Sequence, residues 1–185
     1  MQCWQERIEQ INDEFANRFN SLNREIGEKI LNTKNFASIL QSARMNAAMD
    51  PDADKIPLYV SSVLNAVENE NIDDTKIHIF LNILRDITTL HLNLLRRLAS
   101  PIHASPTSGF QKVVGARLRD TEDVIAEKFF PDIKHEELIN IALSDLYKYG
   151  LISVGSLEHI GHREECIQNQ ITVLGNEFLA FIKSS

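Results

Sequence analysis

Glycine and proline, the residues that most often end regular secondary structure, are few and unevenly placed in this chain of 185 residues. There are seven glycines and five prolines, about half of what an average usage of roughly 12% would give. Before residue 101 the sequence holds only Gly27, Pro51 and Pro57. This distribution excludes collagen-like and turn-rich all-β folds. It predicts a long helical first part and a second part that contains turns.

Residues 4–31 carry apolar side chains at spacings of three or four residues. The pattern has the eleven-residue period of a nearly straight amphipathic helix, with about 3.67 residues per turn. The stripe has two interpretations, since such a helix packs on its own domain or forms a coiled-coil-like seam with a partner chain. The second interpretation predicts self-association through Ile8, Ile11, Phe15, Phe19, Leu22 and Ile26.

Three more helices are predicted before residue 100. Helix 34–49 ends before Pro51, because the residue that precedes a proline is driven out of the α region. Helix 56–67 has Asp54 as its expected N-cap. The stretch 75–99 is apolar around most of its circumference and holds no glycine or proline. It therefore predicts one continuous, buried central helix.

The second part of the chain combines helices with short strands. An exposed loop is predicted at 100–116, and Gly150 is expected to end a helix in a left-handed conformation. The predicted elements that follow the loop are helix 121–130, helix 134–149, strand 151–154, strand 168–173 and helix 174–183. The inward face of the second of these helices is expected to contain Leu138, Ile141, Ala142, Leu146 and Tyr149.

The order helix, helix, strand, hairpin, strand, helix is that of a winged-helix domain. The chain is therefore predicted to be mainly α. An N-terminal helical bundle occupies 1–99, and a winged-helix-like module with a small β-hairpin occupies 100–185. The helix 75–99 is shared, because it also supplies the first helix of the second module.

The formal net charge of −7 disfavours non-specific attraction to nucleic acid and to anionic membranes. Cys3 and Cys166 are the only cysteines, so no disulfide framework is indicated. The polar start of the chain and the absence of a long apolar run predict a cytoplasmic protein without a membrane segment.

The motif His159-Ile160-Gly161-His162 lies near the end of the chain, with Cys166 four residues further on. It matches the HIGH signature of class I aminoacyl-tRNA synthetases, but the parallel α/β pattern of that fold is missing around it. Zinc sites use such ligand types, usually as two paired clusters. A solvated polar loop is the favoured interpretation, and the alternative is a metal site formed by His159, His162 and Cys166.

The segment 50–54 has carboxylates at alternate positions, as calcium loops do. Its sixth and twelfth positions are Lys55 and Ser61, where a calcium loop needs glycine and glutamate. A capped helix junction is therefore predicted. No nucleophile motif and no phosphate-binding glycine loop occur in the sequence, so we expect a protein without catalytic residues or a cofactor.

A winged helix raises the question of DNA binding, since its recognition helix enters the major groove. Here that helix, 134–149, carries Glu136, Glu137 and Asp145 against two lysines. The helix therefore carries more acidic than basic residues, whereas DNA binding requires a basic face. A DNA-binding regulator is kept as the alternative function, with candidate nucleic-acid contacts at Lys112, Arg117 and Arg119.

The phrase at 43–51, followed by that at 53–57, resembles the bacterial Abi-alpha domain family, which is associated by name with abortive phage infection. The segments 146–152 and 172–178 are similar to the winged-helix-like end of its members. The resemblance implies an α-helical protein of unknown molecular activity linked to phage defence, and it carries over no functional residues. We therefore expect a non-enzymatic protein-interaction or regulatory module whose partner is another protein or a second copy of itself.

Overall fold

The computed structural model describes residues 2–21, 35–68, 72–99, 136–156 and 170–183. These parts of the chain are mainly helical, as the sequence predicts. None of their helices has the length and apolarity that crossing a membrane requires. The described α-helices are α1 (Gln2–Ser21), α2 (Phe36–Met49), α3 (Ile56–Glu68), α4 (Asp74–Asp86), α5 (Thr89–Ala99), α6 (Glu136–Lys148) and α7 (Val173–Phe181), with a short 3-10 helix (Ala53–Lys55) before α3.

Several predicted helices are confirmed. The helices expected at 34–49, 56–67 and 134–149 correspond to α2, α3 and α6, with bounds that shift by one or two residues. The N-terminal helix is confirmed as far as Ser21. Two other predicted elements lie outside the described residues, namely the loop 100–116 and the helix 121–130.

The chain divides into two compact units. The first unit comprises Met1–Thr89 together with Phe178–Ser185, and the second comprises Leu90–Glu177. The junction between Thr89 and Leu90 falls inside the stretch 75–99, which the sequence assigns to both parts of the protein.

In the first unit α1 packs against α2 and α3, and α2 also packs against α4. The end of α7 contributes Phe178 and Phe181, whose ring centroids lie 5.4 and 5.3 Å from that of Phe80. Asn65 on α3 donates to the carbonyl oxygens of Phe181 and Lys183 at 2.9 and 2.8 Å. It thereby partners carbonyls that the end of a helix leaves free, and the last helix is tied into the core of this unit.

The second unit contains α5, α6 and the start of α7. Gly150 has a positive φ of 70° and its amide donates to the carbonyl oxygen of Tyr147 at 2.9 Å. This confirms the predicted left-handed end of the helix. Among the described residues of this unit, the buried apolar side chains are Leu92, Leu94, Leu95, Leu98, Ile139, Ala142, Leu143, Leu146, Leu151 and Ile152.

The prediction of one continuous helix over 75–99 is wrong. The stretch forms α4 and α5, which are separated at Ile87 and Thr88. Ile87 is extended, with φ −88° and ψ 152°. The carbonyl oxygens of Leu84 and Ile87 accept hydrogen bonds from the side chain of Lys55. Insertion of a side chain into the backbone ladder is a recognised cause of a helix interruption, and this one comes from a distant segment.

The predicted β-hairpin is not found in the part of the chain that the structure describes. Its two expected strands meet at an isolated antiparallel bridge between Ile152 and Ile171. The amide of Thr172 still donates to the carbonyl oxygen of Leu151 at 3.0 Å, and α7 begins at the next residue. The hydroxyl of Thr172 accepts from the amide of Gly175 at 2.9 Å and so caps α7. The segment 157–169 lies outside the described residues.

Two local predictions are also wrong. Asp54, the expected N-cap of α3, lies inside the 3-10 helix instead, and the cap of that 3-10 helix is Asp52, whose carboxylate accepts from the backbone N–H of Asp54 at 3.0 Å. Leu138 and Ile141 are exposed, because a neighbouring set of positions with the same helical spacing faces the core instead. These buried residues of α6 are Ile139, Ala142, Leu143 and Leu146.

Alanine at Gly175 is expected to destabilise the protein by roughly 3 kcal/mol, the upper end of the usual cost of overpacking. Its Cβ would lie 2.1 Å from the carbonyl oxygen of Leu151. Gly150→Ala should cost about 1 kcal/mol, because an L residue must then adopt a left-handed conformation. Gly155→Ala is the control, since its Cβ would contact Tyr147 at an ordinary 3.5 Å.

Urea unfolding followed by circular dichroism measures the stability of these three variants. Equal losses for Gly175→Ala and Gly155→Ala would contradict the close approach of α7 to the carbonyl of Leu151.

Candidate functional site

Three polar side chains, Asp50, Lys55 and Tyr59, are buried together in the first unit. We call them the Lys55 cluster. The side chains of Lys55 and Asp50 are each 1% exposed. Charged side chains are buried this far in proteins only when they are paired and hydrogen-bonded, so the partners of the cluster reveal what it does.

The Lys55 ammonium is surrounded by oxygen atoms. Its Nζ lies 2.6 Å from Oδ2 of Asp50 and donates to the carbonyl oxygens of Leu84 at 2.7 Å and Ile87 at 2.5 Å. The carbonyl oxygen of Arg85 lies further away, at 3.3 Å. An ammonium has three protons, which match the three short contacts. The positive charge also lies at the C-terminal end of α4, where the helix dipole favours a cation.

The Asp50 carboxylate is equally well partnered. Its Oδ2 accepts from the hydroxyl of Tyr59 at 2.7 Å, and its Oδ1 accepts from the backbone N–H of Asp52 at 2.9 Å. Among the described residues, every buried side-chain nitrogen or oxygen has a hydrogen-bond partner. The cluster therefore satisfies its own charges within the protein.

The local sequence explains how the cluster forms. Asp50 leaves the helical region with φ −74° and ψ 126°, as a residue before proline must. Asp52 then caps the short turn that ends at Lys55, and α3 begins at the next residue. Lys55 and Tyr59 are four residues apart, so their side chains lie on the same side of the chain and both reach Asp50.

Burial raises the pKa of the Tyr59 phenol, and its hydrogen bond to the Asp50 carboxylate raises that pKa further. The phenol is therefore a neutral hydrogen-bond donor across the ordinary pH range. A buried donor that keeps its proton strengthens the hold on a buried carboxylate.

A second group of charges lies in the second unit, at the surface. The hydrogen bond from Lys148, with Nζ 2.9 Å from Oδ1 of Asp145, holds the pKa of the Asp145 carboxyl below its usual range. His91 Nε2 lies 3.6 Å from the other oxygen of the same carboxylate. Asp145 is partly exposed and Lys148 is exposed. Their contact is therefore an ordinary surface ion pair that contributes little to stability.

The Lys55 cluster explains why the calcium-loop pattern of 50–54 fails. The lysine that stands where a calcium loop has glycine supplies the cation itself, since its ammonium takes the carboxylate and carbonyl oxygens. Lys55 and Tyr59 were absent from the candidate residues that the sequence suggested. A signal for the cluster is nevertheless present in the sequence. Lys55 stands directly before an apolar helix, and Asp50 stands at the end of the preceding helix, just before Pro51.

The structure describes part of the predicted self-association stripe. Ile11 is 3% exposed and the ring of Phe15 lies 5.9 Å from that of Phe36, so both residues pack within the first unit. Ile8 is half-buried. Self-association through the stripe stays a prediction, because nothing is described for the side chains of Phe19, Leu22 and Ile26.

The remaining candidates of the sequence analysis lie outside the described residues. No group of His, Cys, Asp and Glu side chains in the described ranges could hold a metal ion. The candidates that fall outside are the nucleic-acid contacts Lys112, Arg117 and Arg119 and the metal ligands His159, His162 and Cys166.

The structure also shows exposed apolar side chains on helix surfaces. Leu138 and Ile141, three residues apart on α6, are 47% and 58% exposed, and we call this pair the α6 face. Met45 and Met49, one turn apart on α2, are exposed as well. The sequence alone assigned the α6 residues to the core, so this surface was not among its candidates.

Lys55→Met is expected to destabilise the protein by roughly 3–5 kcal/mol, because it leaves the buried Asp50 carboxylate without its counter-charge. Asp50→Asn combined with Lys55→Met should recover much of this loss, since replacing a whole buried ion pair is often tolerated. Lys183→Met changes an exposed lysine of the same unit and is the matched control. Urea unfolding tests the series, and a Lys55→Met variant as stable as the control would contradict the structural role of the cluster.

Tyr59 is expected to make the free energy of unfolding fall at alkaline pH. In the unfolded chain a tyrosine ionises at about pH 10. In the folded chain the raised pKa keeps the Tyr59 phenol protonated at this pH. Its contribution is complete below that pH and is lost above it, by up to about 1.4 kcal/mol per pH unit. Urea unfolding between about pH 10 and 11 should show a steeper loss for the wild type than for Tyr59→Phe. The exposed Tyr147→Phe should follow the wild type, and equal slopes for all three would refute the shift.

Comparison with known proteins assigns no function to the Lys55 cluster or to the α6 face. No family model, curated protein or solved structure matches the chain. Its function is therefore argued from its own residues and contacts.

Proposed function

We propose that the protein is a non-enzymatic protein-interaction module that binds its partner through the α6 face. The observation that carries this proposal is the exposure of Leu138 and Ile141 on one side of α6. Apolar side chains exposed next to each other on a helix are typical of surfaces that bind other proteins. The partner is another protein or a second copy of the chain.

The proposal includes a winged-helix-like arrangement of the second unit, and this arrangement would favour the same surface. The order of α5, α6 and α7 fits such a module, and the bridge between Ile152 and Ile171 lies where the base of a wing is expected. In this arrangement α6 takes the place of the recognition helix, which is the element that winged-helix domains present to a ligand.

The chemistry of α6 favours a protein partner over DNA. Base edges and phosphates are contacted mainly by arginine, lysine, asparagine and glutamine, but α6 exposes Leu138, Ile141 and Glu137. Its exposed Lys148 is bonded to Asp145. The alternative, a DNA-binding regulator, depends on the basic residues between 112 and 119, which lie outside the described residues.

The cellular role that we propose is phage defence in the cytoplasm. This proposal is based on the resemblance of 43–57 to the Abi-alpha family, and not on a contact in the structure. If it is correct, expression of the protein lowers the number of plaques that phages form on the host, and loss of the α6 face abolishes this effect.

Ile141→Glu, alone or with Leu138→Glu, is expected to abolish partner binding and to leave the fold intact, because both side chains are exposed. Binding is measured by capture from the native host and by size-exclusion chromatography with light scattering. Val173→Glu changes another exposed apolar residue of the same unit and should behave like the wild type. Circular dichroism verifies the fold of each variant.

Unchanged capture, molecular mass and plaque number for the α6 variants would contradict the proposal. A gel-shift assay with mixed genomic DNA at low salt separates the alternative function. Tight DNA binding that is lost in a variant with Arg117→Ala and Arg119→Ala would establish the regulator in its place.

A further inference from the structure

We propose that the partner bound through the α6 face is a second copy of the chain, and that the two α6 helices pack antiparallel about a two-fold axis. This arrangement rests on the proposed function, because it names the occupant of the same surface. Charge and side-chain size change along the outer side of α6 in an order that complements its own reverse. A surface with this property fits a second copy of itself.

Four positions of α6 follow one another along its outer side at spacings of four, three and four residues. They are Glu137, Ile141, Ser144 and Lys148, and we call them the α6 stripe. Such spacings keep residues on one side of a helix, and the buried residues of α6 lie on the other side. Glu137 is exposed and Ser144 is half-buried. Ile141 is 58% exposed, and the side chain of Lys148 is 70% exposed.

Along the helix the α6 stripe is acidic, apolar, small and basic in turn. We place the two-fold axis of an antiparallel pair midway between Ile141 and Ser144. Glu137 of each helix then lies opposite Lys148 of the other, because the two residues are equally far from the axis. Ile141 lies opposite Ser144 for the same reason, and the small serine side chain lets the helices approach closely. A two-fold interface contains each contact twice, so the pair holds two ion pairs and two Ile141–Ser144 contacts.

Leu138 supports the same alignment from the flank of the α6 stripe. It follows Glu137 in the chain and is 47% exposed, so it lies beside the place that Lys148 of the second copy would occupy. The stem of a lysine side chain is apolar, whereas its ammonium stays in water. Leu138 therefore covers that stem while Glu137 binds the charge, and both residues of the α6 face are used.

Lys148 is held in position for this contact by its own helix. Its Nζ lies 2.9 Å from Oδ1 of Asp145, which is three residues earlier. An ammonium has three protons, so the exposed Lys148 can bind a carboxylate of a second copy in addition to that of Asp145.

The charges of the α6 stripe also select the orientation of the pair. Parallel helices would place Glu137 beside Glu137 and Lys148 beside Lys148, and like charges at an interface disfavour that arrangement. One helix pair buries less area than the roughly 1,600 Å² of a standard interface. We therefore expect a reversible dimer with a Kd of about 10–100 μM.

Exchange of the two charges in the full-length chain tests this arrangement, with sedimentation equilibrium as the measurement of the dimer Kd. Glu137→Lys alone and Lys148→Glu alone each turn both ion pairs into like-charge pairs, so each should raise the Kd about tenfold. The double variant restores opposite charges and should restore the wild-type Kd. Glu9→Lys and Lys183→Glu make the same charge changes at exposed positions outside α6, and both should leave the Kd unchanged.

A mixture of the two single variants provides a second test. One variant then carries two lysines in the α6 stripe and the other carries two glutamates, so opposite charges meet only between different variants. Native mass spectrometry of an equimolar mixture should show mixed dimers in excess over dimers of either variant with itself. Only an interface that each chain forms with the same surface of another copy gives this result.

A wild type that stays monomeric at about 1 mM would overturn the antiparallel pair, as would a dimer that the single variants do not weaken or that the double variant does not restore. The proposed function fails separately, when Ile141→Glu leaves the capture of every other protein and the dimer unchanged. If a charge variant does not fold, the salt dependence of the wild-type Kd decides. A Kd that rises from about 0.05 to about 0.5 M salt supports the ion pairs, and a constant or falling Kd refutes them.

Discussion

The ammonium group of Lys55 joins three separate parts of the first unit through one set of oxygen atoms. It bonds to Asp50 at the end of α2, it belongs to the turn that leads into α3, and it binds the carbonyls that end α4. A buried charge needs all of its partners, because each missing one leaves part of the desolvation penalty uncompensated. The positions of α2, α3 and α4 relative to one another are therefore specified by polar contacts as well as by apolar packing.

The same contacts decide where the helical stretch after residue 74 is interrupted. α4 ends at Asp86 and α5 begins at Thr89, and the second unit starts at the following residue. The break thus coincides with the passage of the chain from one unit to the other. A side chain contributed by a segment about thirty residues earlier binds the carbonyl oxygens at the end of α4.

Local patterns allowed the prediction of α2, α3 and α6, because an amphipathic period of 3.6 residues and a following proline or glycine act within a few residues. They were insufficient wherever a distant group intervened. The periodicity of α6 fits two neighbouring sets of positions, and only packing shows that Leu143 faces the core while Ile141 is exposed. Within the described residues, the strands expected around Ile152 and Ile171 are reduced to one bridge, and the next residue, Thr172, caps α7.

The sequence by itself determined that the protein is mainly helical, where most of its helices lie, and that Gly150 ends one of them, since these properties depend on neighbouring residues. Only the tertiary structure decided that Lys55 is buried, that the helix over 75–99 is broken, and that the α6 face is exposed. Each of these depends on which groups meet in space, and the free energy of a buried charge or an apolar side chain is set by those neighbours.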